Sequence, residues 1–245
     1  MNQKFTVEDI NQKIADIKTK IEEIDKYKNI KDKVILLLSL IDSYSQMNVF
    51  YSGSQKNNKN SAQKFTEFVT EFYPQKFWND IGFVNLSHEF NNGELKNFYD
   101  EIGRILTTFS KNSLNDFSVN SDVIKLIKNM GIKLENKYVG KDVKKNIEKY
   151  KYKNLIYKYR CKLVHMYSFP GIAEDFESIA NLNQPCYIIG VNGISNKIKN
   201  KYDLIFPYEF IKELTFNSIK NYLERCLKEN KYPYSNYKEW FTWYE

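Results

Sequence analysis

Apolar side chains recur at helical spacing through the first part of the chain. Val7, Ile10, Ile14, Ile17, Ile21 and Ile24 alternate steps of three and four, the seam of an amphipathic helix from about 7 to 29. That stripe has to be covered, either by other helices of the same bundle or by a second copy of the chain. A second helix is expected from about 30 to 50, and its centre, Val34 to Ile41, is apolar nearly all round, as in the middle of a core. Asp42 follows directly. It either pairs with a basic side chain on a later helix, the one carrying Arg160, or points to water, and the pattern leans slightly to water because an unpaired charge is costly against an apolar surface.

Residues 52–61, rich in Asn, Lys and Ser, predict a solvated loop. Phe65, Phe68, Val69, Phe72 and Tyr73 then follow helical spacing, and Pro74 ends that helix. From 78 to 93 the pattern is irregular. Further helices are expected at about 94–109, carrying Arg104, and at about 120–130, stopping at Gly131. No Gly or Pro interrupts residues 142–168, where Val143, Ile147, Tyr150, Ile156, Tyr159, Leu163 and Tyr167 mark a buried face, before Phe169-Pro170-Gly171 ends the helix. Two short strands, 186–191 and 202–206, are joined by a long loop containing Asn192-Gly193, and a last helix runs from about 208 to 229. The aromatic tail 232–244 suits packing on its own domain or a dimer mate better than stacking on bases. The whole predicts a mainly α chain of one domain, 1–245, with a probable helical insertion at 78–140 and a small β-hairpin at 185–207.

Composition narrows the classes. At 42% hydrophobic and 16% aromatic the chain is expected to be folded and globular. A net charge of +7 and a pI near 9.0 would suit RNA, but Lys, Asn, Ile, Tyr and Phe are abundant together while Arg, Ala and Gly are scarce. That is also the mark of an AT-rich coding sequence, which raises lysine for reasons unrelated to binding. No apolar stretch predicts an export signal or a membrane span, and three widely spaced cysteines, Cys161, Cys186 and Cys226, suit reduced thiols in a cytoplasmic protein. Metal ligation is poorly supported, since only Cys161 and His165 share helical spacing, and no cofactor is implied.

Candidate chemistry sits in Tyr157-Lys158-Tyr159-Arg160-Cys161-Lys162-Leu163-Val164-His165. Arginine occurs only at 104, 160 and 225 and histidine only at 88 and 165, so an Arg followed closely by a His stands out. Histidine exchanges a proton near neutral pH, and arginine offers a charged planar fork that matches phosphate oxygens. Together they form a minimal kit for cutting RNA without metal. His88 has no arginine at a suitable distance before it and reads as structural or solvent-facing. Lys162 and Tyr159 flank the pair as candidate substrate contacts. Positions five apart lie about 140° apart around a helix, so Arg160 and His165 do not meet within one regular helix. Arginine's reach, a backbone deviation near Pro170 or a second copy of the helix could close the gap.

Arg160-Cys161-Lys162-Leu163-Val164-His165 resembles the Arg-x4-His motif of the HEPN superfamily, including the apolar pair before the histidine. The order of Leu40-Ile41-Asp42 in an early apolar helix and of Phe65 to Tyr73 after a loop is similar to bacterial HEPN-like proteins. The resemblance covers about half of the chain. It implies a helical bundle, a homodimer with both motifs at one cleft, and metal-independent RNA cleavage by catalytic Arg160 and His165, often as a toxin or phage-defence effector restrained by an antitoxin or another defence protein. Asp42 and Cys161 are possible supporting residues. Cys161 departs from the family, which commonly has Asn, Asp or His there, and this leaves open a silent module that binds nucleotide, RNA or a protein partner. A plain structural reading also stands, with Arg160 a surface cation and His165 capping its helix end.

Overall fold

The architecture is that of a computed structural model, which describes residues 6–51, 59–80, 82, 85, 149–168, 185–192 and 199–233. Among these residues the protein is mainly helical: α1 (Val7–Asp25), α2 (Ile30–Met47), α3 (Ser61–Phe72), a 3₁₀ turn (Lys76–Asn79), α4 (Tyr152–Met166), strands β1 (Cys186–Asn192) and β2 (Lys199–Ile205), and α5 (Tyr208–Lys228). The predicted helices at 94–109 and 120–130, with His88 and Arg104, lie outside the described residues, as do 52–58, the start of the Arg160 helix at 142–148, Phe169-Pro170-Gly171 and the tail beyond Pro233.

Local chemistry sets the helix starts. Thr6 and Asp9 form a reciprocal capping box on α1, with the Thr6 hydroxyl accepting from Asp9 N at 3.2 Å and the Asp9 carboxylate from Thr6 N at 2.9 Å. Asn60 and Gln63 do the same for α3, at 2.9 and 3.0 Å. Asn29 caps α2 through Lys31 N at 2.8 Å, and α1 stops at Asp25, short of the expected 29.

Ile10, Ile17 and Ile21 are buried as the seam requires, whereas Val7 in the first turn is exposed. In α2, Val34, Leu37, Leu38 and Ile41 are fully buried, but Leu36 lies at the surface, so the helix is less enclosed than its apolar run suggests. The helix most deeply embedded is α5, which packs on α2, α1 and α3 and buries Leu214, Ile219, Tyr222 and Leu223 completely. Tyr222 meets Tyr44, Phe50, Phe68 and Phe72 at ring separations of 5.4 to 6.1 Å, three of them edge-on, as aromatic quadrupoles favour, and the Phe68 contact tilted. The strands pair antiparallel in register Cys186 to Ile205 through Asn192 to Lys199, so Asn192 belongs to β1 and not to the connecting loop.

A polar joint ties α1 to α5. Asp25 accepts from the Tyr208 hydroxyl and from Lys212 Nζ at 2.5 Å. Partial burial opposes the Asp25 charge, but the bonds from Lys212 and Tyr208 outweigh it and hold the carboxyl below its ordinary range. Tyr208 is pushed well above the ordinary phenol range, first by burial and then by that bond.

The backbone also fixes where 83–148 leaves and re-enters. Gly82 N donates to Tyr150 O at 2.7 Å, and Tyr152 N donates to Asp80 O at 3.1 Å. Tyr150 and Tyr152 are therefore tied to Gly82 and Asp80, residues 149–151 are not helical, and α4 starts at Tyr152, later than the uninterrupted sequence from 142 predicts.

Candidate functional site

The Arg160 helix, α4, packs against α2, α3 and the 3₁₀ turn. Tyr152, Leu155, Ile156, Tyr159 and Leu163 form its buried face. Two side-chain ties join it to α2. Arg160 Nη2 donates to Asp42 Oδ2 at 2.7 Å, and about two turns later the Tyr167 hydroxyl donates to Asp32 Oδ1 at 2.7 Å. Positions rise along α4 as they fall along α2, so the two helices run antiparallel with a tie near each end of the motif.

Asp42 is thus a partner of Arg160 and does not simply point to water. Their side chains are 19% and 16% exposed, a partly buried pair at the rim of the bundle. Gln46 Nε2 reaches the other Asp42 oxygen at 3.4 Å. The Arg160 guanidinium lies 5.9 Å from the centre of the Tyr157 ring, a cation–π distance. Its Nε–H is buried and has no acceptor among the described residues.

Cys161 is half-buried and unpaired as a disulfide. The Tyr157 phenol is raised by burial and then by Cys161, with which it shares a hydrogen bond, while Arg160 pulls the other way. The thiol therefore faces a phenol on its own helix.

His165 is exposed in the last turn of α4, beside exposed Val164 and Met166. Since the helix is regular from Tyr152 to Met166, five steps carry His165 about 140° around from Arg160. One chain turns the arginine toward α2 and the histidine toward solvent. The backbone deviates at Tyr167, after the histidine, while Pro170 lies outside the described residues. Lys162 is exposed and free to meet a polyanion at this surface.

Tyr159 is corrected. It is 2% exposed, its ring packs edge-on to Phe206 at 5.4 Å, and its hydroxyl points to Phe206 O at 3.5 Å, so it belongs to the core and is out of reach of a substrate. Tyr167 is corrected in the other direction: it was expected on the buried face and is 50% exposed. It occupies the left-handed region at φ 48° and ends the helix, its N–H donating to Leu163 O at 3.0 Å. A bulky side chain there costs on the order of 1 kcal/mol, which explains why glycine is the usual residue.

No group of three or more His, Cys, Asp or Glu side chains is placed to hold a metal ion among the described residues, and no described helix is long and apolar enough to cross a membrane. No protein-family model, curated protein or solved structure matches this chain.

Proposed function

We propose that the chain is a metal-independent endoribonuclease of the HEPN type, a helical bundle with a helical insertion at 78–140 and a β-hairpin at 185–207, acting in the cytoplasm as a homodimer. His165 removes the proton of a ribose 2′-hydroxyl, and the 2′-oxygen attacks the adjacent phosphorus. The bond to the 5′-oxygen breaks and that oxygen takes a proton, leaving a 2′,3′-cyclic phosphate and a 5′-hydroxyl. Arg160 holds the phosphoryl oxygens as their charge grows. Lys162 adds a phosphate contact.

The observation that supports this reading best is the setting of Arg160. Its charged fork is held by Asp42, backed by the Tyr157 ring and left with one donor unmet, on the same short helix as an exposed histidine. The two side chains leave the helix in different directions, so a working pair draws Arg160 from one copy and His165 from the other. A toxin or phage-defence effector restrained by an antitoxin or other defence protein is the biological setting this chemistry suits.

The same divergence supports a second reading, a silent helical module that binds nucleotide, RNA or a protein partner. His165→Ala and Arg160→Lys separate the two: each lowers RNA cleavage by roughly 10²-fold or more in the enzyme. If Arg160→Ala cuts RNA at the wild-type rate, the catalytic mechanism is wrong.

A further inference from the structure

Tyr167 stands where a glycine would close α4 without strain. A non-glycine residue at positive φ persists only where its surroundings hold it there, and the surroundings of Tyr167 are specific. Its hydroxyl donates to Asp32 Oδ1 at 2.7 Å and accepts from Asn29 Nδ2 at 3.0 Å, and Lys31 lies 5.8 Å from its ring centre. Asn29 uses its other side-chain atom to cap α2. The first turn of α2 thus grips the residue that terminates α4, two positions after His165.

We infer that Tyr167 is a positioning residue, clamped by Asn29 and Asp32 so that the last turn of α4 stays formed and His165 keeps a fixed direction at the surface. Without the clamp a helix end carrying exposed Val164, His165 and Met166 frays readily, because terminal turns lack part of their hydrogen bonding. Arg160, one turn and a half earlier, is held independently by Asp42. Each member of the pair therefore has its own tie to α2. The inference rests on the reading of His165 as general base only for its catalytic consequence.

Tyr167→Phe keeps the ring and the backbone geometry and removes the hydroxyl. Asp32→Ala removes the acceptor, and Asp32→Asn retains an oxygen that still accepts. In the full-length chain, amide exchange at Met166 and Tyr167 rises about tenfold or more in Tyr167→Phe and in Asp32→Ala, rises no further in the double variant, and stays near wild type in Asp32→Asn. The His165 imidazole resonance, assigned by its loss in His165→Ala, shifts or averages in the same two variants. On RNA, Tyr167→Phe lowers kcat by about 10-fold to 100-fold with KM for RNA within about twofold.

Unchanged exchange and an unchanged His165 resonance in Tyr167→Phe overturn the clamp, as do effects of Tyr167→Phe and Asp32→Ala that simply multiply. A normal kcat in a variant whose helix end has loosened overturns the positioning role. If the wild type cuts no RNA while exchange and resonance respond together, the clamp on His165 stands and the ribonuclease reading fails.

Discussion

Arg160 and Asp42, 118 positions apart in sequence, meet in a 2.7 Å ion pair that sets the direction of the guanidinium at the edge of α2. The pair is one contact with two consequences, for stability and for where the charge points.

Replacing Asp42 by Asn keeps the shape and removes the charge. A hydrogen bond to an ionised partner contributes about 1.5–3 kcal/mol; the asparagine oxygen still accepts from the guanidinium, so Asp42→Asn lowers stability by less than that and leaves Arg160 less constrained. Urea unfolding measures the first effect. Cleavage of RNA measures the second and falls in Asp42→Asn even where the protein remains folded, since an arginine aimed differently meets the phosphate less well.

Divergence of Arg160 and His165 within one helix predicts complementation. Arg160→Ala and His165→Ala are each inactive alone as homodimers. Mixed and allowed to exchange subunits, they form heterodimers in which one cleft receives an intact arginine from one copy and an intact histidine from the other. Activity returns, to about half of the wild-type rate per heterodimer at most, because one of the two Arg160–His165 pairs is whole. Two variants that stay inactive when heterodimers are shown to form place both groups in the same copy.

The polar joint at Asp25 predicts the response to pH. Asp25 is held below its ordinary range in the folded state, so the folded chain binds fewer protons than the unfolded chain through the acid range. Its contribution is present above the unfolded carboxyl value of about 4 and is lost as pH falls through the folded value. Tyr208 and Tyr73 are raised, mainly by burial and then by bonds to Asp25 and Glu213, and Tyr51 is raised mainly by burial. For them the sign reverses: stability is full below about pH 10 and falls as pH rises above it. Absorbance titration of the phenols shows a late group that ionises only with unfolding. Asp25→Asn removes the Asp25 share of the acid-side loss and leaves much of the alkaline one.

Where 83–148 departs and returns, the backbone of Gly82 and Tyr150 is hydrogen-bonded, which puts their Cα atoms on the order of 5 Å apart. A linker of about four glycine and serine residues spans that gap. The chain with 83–148 replaced by such a linker is expected to keep the helical circular dichroism and cooperative unfolding of α1 to α5. Loss of cooperative unfolding would show that the described helices depend on the excised stretch.

Periodicity made the helical core legible. Ile10, Ile17 and Ile21, or Phe65, Phe68 and Phe72, repeat at spacings that only a helix places on one side, and all six are buried. The ends were less legible, because they depend on single contacts: the Asn29 cap starts α2, and the left-handed Tyr167 stops α4. Tyr159 carries two expectations, a place on the buried face and, through its neighbour Arg160, a substrate contact, and the structure buries it. One step along a helix is about 100°, enough to carry a side chain from the Arg160 surface into the core. The sequence leaves the Asp42 tie open, since a carboxylate after an apolar run says nothing about which distant helix will arrive beside it. Asn29 and Asp32 gave no chemical signal at all, because capping and surface polar residues look alike until α4 lies across them.

The most direct test compares purified wild-type protein with His165→Ala on total RNA in excess EDTA, with the product ends mapped chemically. The account predicts cleavage by the wild type alone, leaving 2′,3′-cyclic phosphate and 5′-hydroxyl ends. Equal cleavage by both proteins, or intact RNA from a wild type confirmed as folded and dimeric, would contradict it.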